Sequence, residues 1–392
     1  MIIEKVVCPF CNCLCDTLVV EVEDNKIRKV EEACPKAVKG FLNTGRKKIR
    51  SLVNSYPVSF TEALSRLSQV LSTRKQLLIC GLAETDSEAQ MEAIKLAQSL
   101  GGSIDLVPFA PEFKKFHLSP WPLLPTCTLG EVKHKADFLL FWGGDPLTSH
   151  PRLLPLLGIN PAKQKREKRP TLVVVDSIPT ATSAIADLFI EIQEEAFFPA
   201  LTFLRAELGE KKNSGSLKDE YKLKLGKLAQ MMAGARYGVI FVGEAAWKSY
   251  CLASQFFKAW QQLNFRLGFQ LLPLIESLNY LGGEMVMTWQ TGYPYAVNFS
   301  AGYPRFGPQE YTVDRLVKNQ EVDGILTFGA DHLTFYAEDA ELFLPSVRLG
   351  IETESTIYRM DQIPFSTSKL LSPGNPTQAQ ILQALREEIS KC

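Results

Sequence analysis

Four of the chain's nine cysteines fall within VVCPFCNCLCDTL, residues 6 to 18. Cys8, Cys11 and Cys15, taken with Cys34, stand as C-x2-C-x3-C-x18-C. Thiolates bind zinc and iron–sulfur clusters, and a four-cysteine set that opens on a tight CxxC suits either. The two short gaps let a loop wrap one face of a cube-like cluster, and the distant fourth ligand closes it. Unligated, so many neighbouring thiols would be an oxidation liability. Cys13 is the odd one out and is not expected to be a ligand. The long asymmetric gap favours a [4Fe–4S] cluster, with structural zinc as the rival.

A second group of candidates lies where apolar runs end. Gly143-Gly144-Asp145, Asp176-Ser177 and Gly329-Ala330-Asp331 each follow a run that reads as a buried strand. Ligands of open α/β sheets bind at such carboxyl ends. Glycine allows close backbone approach, and Asp145, Asp176 or Asp331 offers a carboxylate to a base or ribose. Turns after strands are rich in Gly and Asp in any case, so each loop alone is a weak signal. His150, in DPLTSHPR, is a weak catalytic candidate, because a loop histidine is as often a hydrogen-bonded structural residue. Arg152 and Arg305 suit phosphate or carboxylate, but surface arginines are common. TGYPYAVNFSAGYPRFGP (291–308) is too irregular for a helix and too apolar for a linker, and reads as an ordered functional or docking loop.

The elements that must position these residues follow from periodicity. TLVVEVE and KIRKVEE alternate as strands, and Asp24-Asn25 supply the turn of a hairpin. That hairpin separates the cysteine cluster from Cys34 and folds one back toward the other. SFTEALSRLSQVLSTR has helical spacing, with Ser59 or Thr61 as its cap. DSEAQMEAIKLAQSLGG is a helix closed by Gly101-Gly102. QLLICGL, ADFLLFWGGDP, TLVVVDS, YGVIFVGE and VDGILTFGAD read as buried strands, and SYCLASQFFKAWQQLN (249–264) as an amphipathic helix. The charged NPAKQKREKRP (160–170) and the polar stretch near residue 210 read as solvated loop and linker. Strands alternating with helices imply an α/β fold, doubly wound with mainly parallel sheets, behind a small N-terminal Cys-rich β module. The expected domains are 1–54, 55–190 and 191–340, with 341–392 returning to the first α/β domain.

The bulk numbers exclude several classes. Lys plus Arg (43) equals Asp plus Glu (43), so no net charge draws in nucleic acid or an anionic membrane. Hydrophobic residues make up 46% and charged residues 22%, which is ordinary for a globular chain. No apolar run approaches the roughly 18 residues of a membrane span, and the N-terminus has no signal core. The expected location is cytoplasmic, where cysteines are thiols or metal ligands.

CPFCNCLCD with ACPKAVKGF resembles the N-terminus of molybdenum- and tungsten-dependent formate dehydrogenase relatives. TCTLGEVKHKADFLLFWGGDPLTSHPR (126–152) is similar to the B subunit of formylmethanofuran dehydrogenase. So are VVVDSIPTATSAIAD (173–187), WQTGYPYAVNFSAGYPRFGPQE (289–310) and GIETESTIYRMDQIP (350–364). The same subunit type occurs in the bacterial formyltransferase/hydrolase complex.

This resemblance implies a fold of the formate dehydrogenase/DMSO reductase type, domains I–III without the C-terminal β-barrel. It implies a [4Fe–4S] cluster at the four cysteines and a bis-pterin guanine dinucleotide holding Mo or W, to which Gly143, Gly144, Asp145, Asp176, Gly329 and Asp331 would contribute. It implies as partners an amidohydrolase-like subunit, a β-helical subunit and a formyltransferase subunit, grouped around a methylofuran or methanofuran carrier.

The chain departs from the family at one decisive place. Active members carry a metal-ligating Cys or selenocysteine in a C-H-G-P-like motif shortly before the TLGEV segment. Here that window has no cysteine until Cys127, which adjoins TLGEV, and His117 stands in KKFHLSP without the motif. A soft Mo or W centre needs a thiolate or selenolate. Pro179 also follows Ser177-Ile178 where relatives tend to carry a phosphate-binding Arg or Lys, and proline has no N–H to donate. The expectation is therefore a scaffold subunit without Mo/W-pterin catalysis, in tetrahydromethanopterin-linked oxidation of formaldehyde to formate. The alternative is an active Mo/W subunit interconverting CO2 and formate.

Overall fold

The computed structural model describes residues 1–43, 50–109, 126–160, 169–209, 217–247, 261, 264–265 and 267–391. Most of the expected helix at 249–264, of the charged stretch at 160–170 and of the linker near 210 lies outside these residues, as do His117, Cys251 and Cys392. Along the chain the strands are β1 (Ile2–Val6), β2 (Leu18–Glu23), β3 (Lys26–Glu31), β4 (Ser51–Val53), β5 (Tyr56–Val58) and β6 (Leu77–Cys80). Next come β7 (Ser103–Ile104), β8 (Phe138–Trp142), β9 (Thr171–Asp176), β10 (Leu188–Glu191), β11 (Gly238–Val242) and β12 (Gln270–Pro273). They continue as β13 (Val297–Asn298), β14 (Arg305–Phe306), β15 (Gly324–Gly329), β16 (His332–Tyr336), β17 (Glu341–Pro345), β18 (Thr356–Tyr358) and β19 (Pro364–Ser366).

The chain divides into two units. The first comprises Met1–Phe116, Ser277–Arg359 and Pro364–Cys392; the second comprises His117–Glu276 and Met360–Ile363. The boundaries expected near residues 54 and 340 fall inside the first unit, and that at 190 falls inside the second.

The first unit opens with the antiparallel sheet β1-β2-β3. Asp24 and Asn25 both have positive φ (50° and 55°). That geometry matches the right-handed twist of the flanking strands. The unit's main sheet runs β14-β13-β7-β6-β15-β16-β17-β4-β5. Only β7, β6 and β15 run parallel; the remaining pairings are antiparallel. Here the expectation of mainly parallel sheets needs correcting. The chain returns from β15 through two tight hairpins, and a hairpin joins only antiparallel strands. Residues 51–53, expected to close the Cys-rich module, instead pair with β17.

Helix Phe60–Thr73 is capped by Ser59, whose Oγ accepts from Glu62 N at 3.1 Å. Helix Ser87–Leu100 begins at the Asp86 cap and ends at Gly101, φ 64°. The C-terminal helix Gln378–Ile389 packs on both, with Arg386 Nη1 2.6 Å from Glu92.

The second unit holds the all-parallel sheet β10-β9-β8-β11-β12. Every residue of β8 and β11 is buried, which is why those strands read as unbroken apolar runs rather than alternating ones. Phe141 stacks on Phe241 with centroids 4.9 Å apart, and Trp142 meets Phe197 edge-on. Arg169 closes the rim, donating to both carboxylate oxygens of Asp187 at 2.9 and 3.0 Å. No described helix is long and apolar enough to cross a membrane.

Candidate functional site

The cysteine loop links β1 to β2. Cys8 N donates to Cys15 O at 2.8 Å and Leu14 N to Cys11 O at 3.3 Å, so the loop doubles back on itself. Cys8, Cys11, Cys13 and Cys15 are buried, whereas Cys34 is half-buried. Cys34 is the N-cap residue of helix Pro35–Leu42, and its side chain makes no capping bond. Phe10, inside the loop, packs edge-on against Phe41 of that helix (4.9 Å), and its ring fills the space a side chain at Gly40 would need. The hairpin thus carries Cys34 back to the loop as the spacing predicts.

The thiols are electrostatic neighbours. Burial pushes the Cys8 thiol far up; a hydrogen bond from the Phe10 backbone opposes this, and charge on Cys11, Cys15 or Cys34 adds to it. Cys13 is held well above its ordinary value by its hydrogen bond with Cys11 and by burial. Metal ligation requires thiolates, so a bound cation would have to displace the protons of its ligand cysteines. Among the described residues, no three Cys, His, Asp or Glu side chains converge closely enough to hold a single ion. Tetrahedral zinc, with Zn–S near ~2.3 Å, draws its four sulfurs into tight mutual contact. Ligands at the corners of a cube stand further apart. Four cysteines, three of them buried on one loop, are a donor type that suits either kind of centre.

Glu84 lies in the turn Leu82–Glu84 of the same unit. Burial raises its carboxyl to about 7, against a hydrogen bond from Leu278 N–H and the Lys36 charge. The folded chain holds this proton at pH values where an unfolded glutamate has lost it. Stability therefore falls as pH rises from the unfolded value toward about 7, and is flat above. Glu84→Gln is expected to add about 1–2 kcal/mol at pH 8 and nothing near pH 4. Urea unfolding at both pH values checks this; a gain that does not depend on pH would refute it.

The strand-end loops come out differently. Gly143, Gly144, Asp145 and Asp176 gather at the carboxyl ends of β8 and β9 in the second unit, and Gly243 joins them from β11. The small size of the glycines is used within the protein. A Cβ on Gly143 would lie 3.0 Å from Ala245 Cβ, and one on Gly144 2.9 Å from Gly243 Cα; one on Gly243 would overlap the Gly143 carbonyl. The Asp145 carboxylate accepts from Thr148 Oγ1 at 2.5 Å and from Thr182, through both its backbone N and its Oγ1. Burial disfavours that charge, but these bonds outweigh it and hold its pKa down. Asp176 accepts from Ser177 N at 2.7 Å, and burial raises its carboxyl.

Gly329 and Asp331 belong to the first unit and form the tight turn between β15 and β16. A side chain at Gly329 would strike the His332 ring. Asp331 accepts from His332 Nδ1 at 3.0 Å and pairs with Arg348 at 3.5 Å. His150 is 1% exposed, with Nε2 2.9 Å from Ile275 O and Nδ1 2.8 Å from Ser149 Oγ. Since Ile275 O can only accept, Nε2 carries the proton and the ring ties this loop to the end of β12. Asp145, Asp176 and Asp331 each accept hydrogen bonds from groups of the chain itself. Arg305 lies over the Tyr311 ring.

Sequence reasoning missed three residues. Gly243 sits at the end of YGVIFVGE, a position equivalent to the flagged Gly144. Asp361 caps Leu129 N at 2.8 Å, so TLGEV and YRMDQIP, two of the family-like segments, meet in the second unit. Asn12 lay unremarked between the cysteines.

The fold is an α/β one shared with a chain of the formyltransferase/hydrolase complex (FhcABCD) from Methylorubrum extorquens, whose structure was solved with methylofuran. That likeness has a TM-score of 0.67 at 17% identity and covers 87% of this chain and 99% of that one. No family model matches. The sequence itself is a full-length homologue of the B subunits of formylmethanofuran dehydrogenases. It is 28% identical over 441 aligned positions to the B subunit of the tungsten-containing formylmethanofuran dehydrogenase 2 of Methanocaldococcus jannaschii, and 24% over 430 to that of Methanococcus maripaludis. Both alignments cover all of this chain and 99% of the relative.

Proposed function

We propose that this chain is the B-type subunit of a formylmethanofuran dehydrogenase-like or formyltransferase/hydrolase complex, and that it serves there as a scaffold without Mo/W-pterin catalysis. Its partners are an amidohydrolase-like subunit, a β-helical subunit and a formyltransferase subunit. The complex moves a formyl group through a methylofuran or methanofuran carrier toward formate in tetrahydromethanopterin-linked metabolism. Its two units correspond to domains of the formate dehydrogenase/DMSO reductase type.

The observation that carries this reading is chemical. The window before TLGEV holds no thiolate to bind a soft metal, since no cysteine stands between Cys80 and Cys127. The internal use of Gly143, Gly144, Gly243 and Asp145 supports it. Cys8, Cys11, Cys15 and Cys34 would hold a [4Fe–4S] cluster, which supplies a redox couple when bound. The chain's own contribution is to gather four thiols, bury three of them and exclude water. The cluster then staples a small module with little core of its own.

An active Mo/W subunit is the second reading, favoured by the tungsten-containing relatives and the intact cysteine set. Elemental analysis of the anaerobically purified complex separates the two. The expected result is iron near four per chain, without stoichiometric Mo or W. Mo or W near one per chain would overturn the scaffold reading, and zinc in place of iron would overturn the cluster.

A further inference from the structure

The four cysteines are bracketed by a contact that involves no sulfur. Asn12, between Cys11 and Cys13, is 0% exposed. Its Nδ2 donates to Ser277 O at 3.1 Å and to Leu278 O at 3.2 Å, across 265 residues of chain. Both acceptors are carbonyls, so the amide orientation is fixed: the nitrogen faces them and Oδ1 points away. Asn12 Oδ1 and Ser277 Oγ are buried without hydrogen-bond partners. An apolar side chain at position 12 would avoid that orphaned oxygen but would leave two carbonyls unpaired.

Leu278 of this segment, with residues near 350, also meets the loop's apolar side. Leu14 holds φ at 41°, a strained value for a residue with a branched side chain. Its side chain packs with Val7, Leu278, Leu349 and Ile357. Pro9 packs on Gly350, where a Cβ would lie 2.8 Å from the proline Cβ. The receiving segment is itself braced. Asn279 N donates to Ala83 O at 2.8 Å, its Nδ2 to Thr85 O at 2.9 Å, and its Oδ1 accepts from Tyr358 N at 2.8 Å.

We infer that residues 277–279 are a preformed seat for the cysteine loop, and that Asn12 is the positioning residue that locks the ligand cysteines into place before any inorganic group binds. This rests on reading Cys8, Cys11, Cys15 and Cys34 as a ligand set. Asn12 touches no reacting atom; it acts through the backbone that carries Cys11 and Cys15.

The test is native-state alkylation of the metal-free full-length chain by iodoacetamide, followed site by site by mass spectrometry, in wild type, Asn12→Ala and Asn12→Asp. Cys80 and Cys127, buried in other parts of the fold, act as internal controls. In wild type, Cys34 is expected to react first. In Asn12→Ala, Cys8, Cys11 and Cys15 are expected to react about tenfold faster, as when one to two hydrogen bonds' worth of local protection is lost, with Cys80 and Cys127 unchanged. Asn12→Asp, which sets an acceptor against two acceptors, should do at least as much. After anaerobic loading with iron and sulfide, both variants should lose iron to a chelator faster than wild type.

An unchanged pattern in Asn12→Ala overturns the inference. So does an equal rise at Cys80 and Cys127, which would mean global loosening rather than a lost seat. If wild type binds neither iron nor zinc, the ligand-set reading falls, and the alkylation comparison still decides whether the seat exists.

Discussion

Gly243→Val is expected to destabilise the second unit by about 4 kcal/mol, at the upper end for a single substitution. The strand end of β11 carries Gly243 directly against Gly143 and Gly144, and the obstacles a side chain would meet are backbone atoms. A clash with a flexible side chain can be relieved by a rotamer change. A clash with a carbonyl and a Cα cannot, because both belong to parallel strands already in register. Gly243 N donates to Trp142 O at 2.9 Å and Leu274 N to Val242 O at 2.8 Å, so opening a gap here would break ladder bonds on both sides of β11. Thermal unfolding should fall by about 10 °C. Gly226→Ala is the matched control. It lies in helix Asp219–Ala233 with nothing within 4 Å of its added Cβ, and should gain up to about 1 kcal/mol from helix propensity. If the two variants melt alike, the packing argument for the strand-end glycines is wrong, and those glycines become available to a ligand after all.

The second large effect concerns the cysteines. Alanine at Cys8, Cys11 or Cys15 should abolish stoichiometric iron, since a cluster left with three protein ligands in place of four is readily lost. Cys13→Ala should keep its iron, although Cys13 is as deeply buried as the others and hydrogen-bonds Cys11. Because ligand binding is also folding energy for a small module, the three ligand variants should lose thermal stability in the loaded protein and little in the metal-free one. Iron content, visible absorbance and melting curves read all of this together. Iron retained in Cys11→Ala but lost in Cys13→Ala would exchange their roles.

Local structure was legible wherever one short-range rule decides it. Asp24-Asn25 marked the β2–β3 hairpin, Ser59 marked a helix start, Gly101 marked a helix end, and unbroken apolar runs marked β8, β9 and β11. The mixed sheet was not legible. β16 begins at His332, directly after a Gly-Ala-Asp turn that reads equally well as a strand-to-helix loop, and nothing local says that the chain doubles back. β4 and β5 are three residues each, too short for a period, and the Asn54-Ser55 turn between them shows itself only through positive φ at both positions.

For the site, the cysteine spacing could be read as a candidate ligand set because ligand geometry constrains such spacing directly. The strand-end loops were ambiguous because glycine has the same appearance whether its missing side chain makes room for a ligand or for the neighbouring strand. Asn12 could not be found at all: its partners lie 265 residues away, and backbone carbonyls leave no trace in a sequence.

The division of the chain has a consequence for how the protein is made. The first unit is written in three instalments, and its last helix, Gln378–Ile389, lies against helices Phe60–Thr73 and Ser87–Leu100. A ribosome releases that helix some three hundred residues after the surfaces it covers, and at roughly 5–20 residues per second those surfaces wait many seconds uncovered. The second unit, nearly contiguous from His117 to Glu276, lacks only Met360–Ile363. The nascent chain therefore holds an almost finished insert inside an unfinished host, and truncation at either end strips the older unit rather than the younger one.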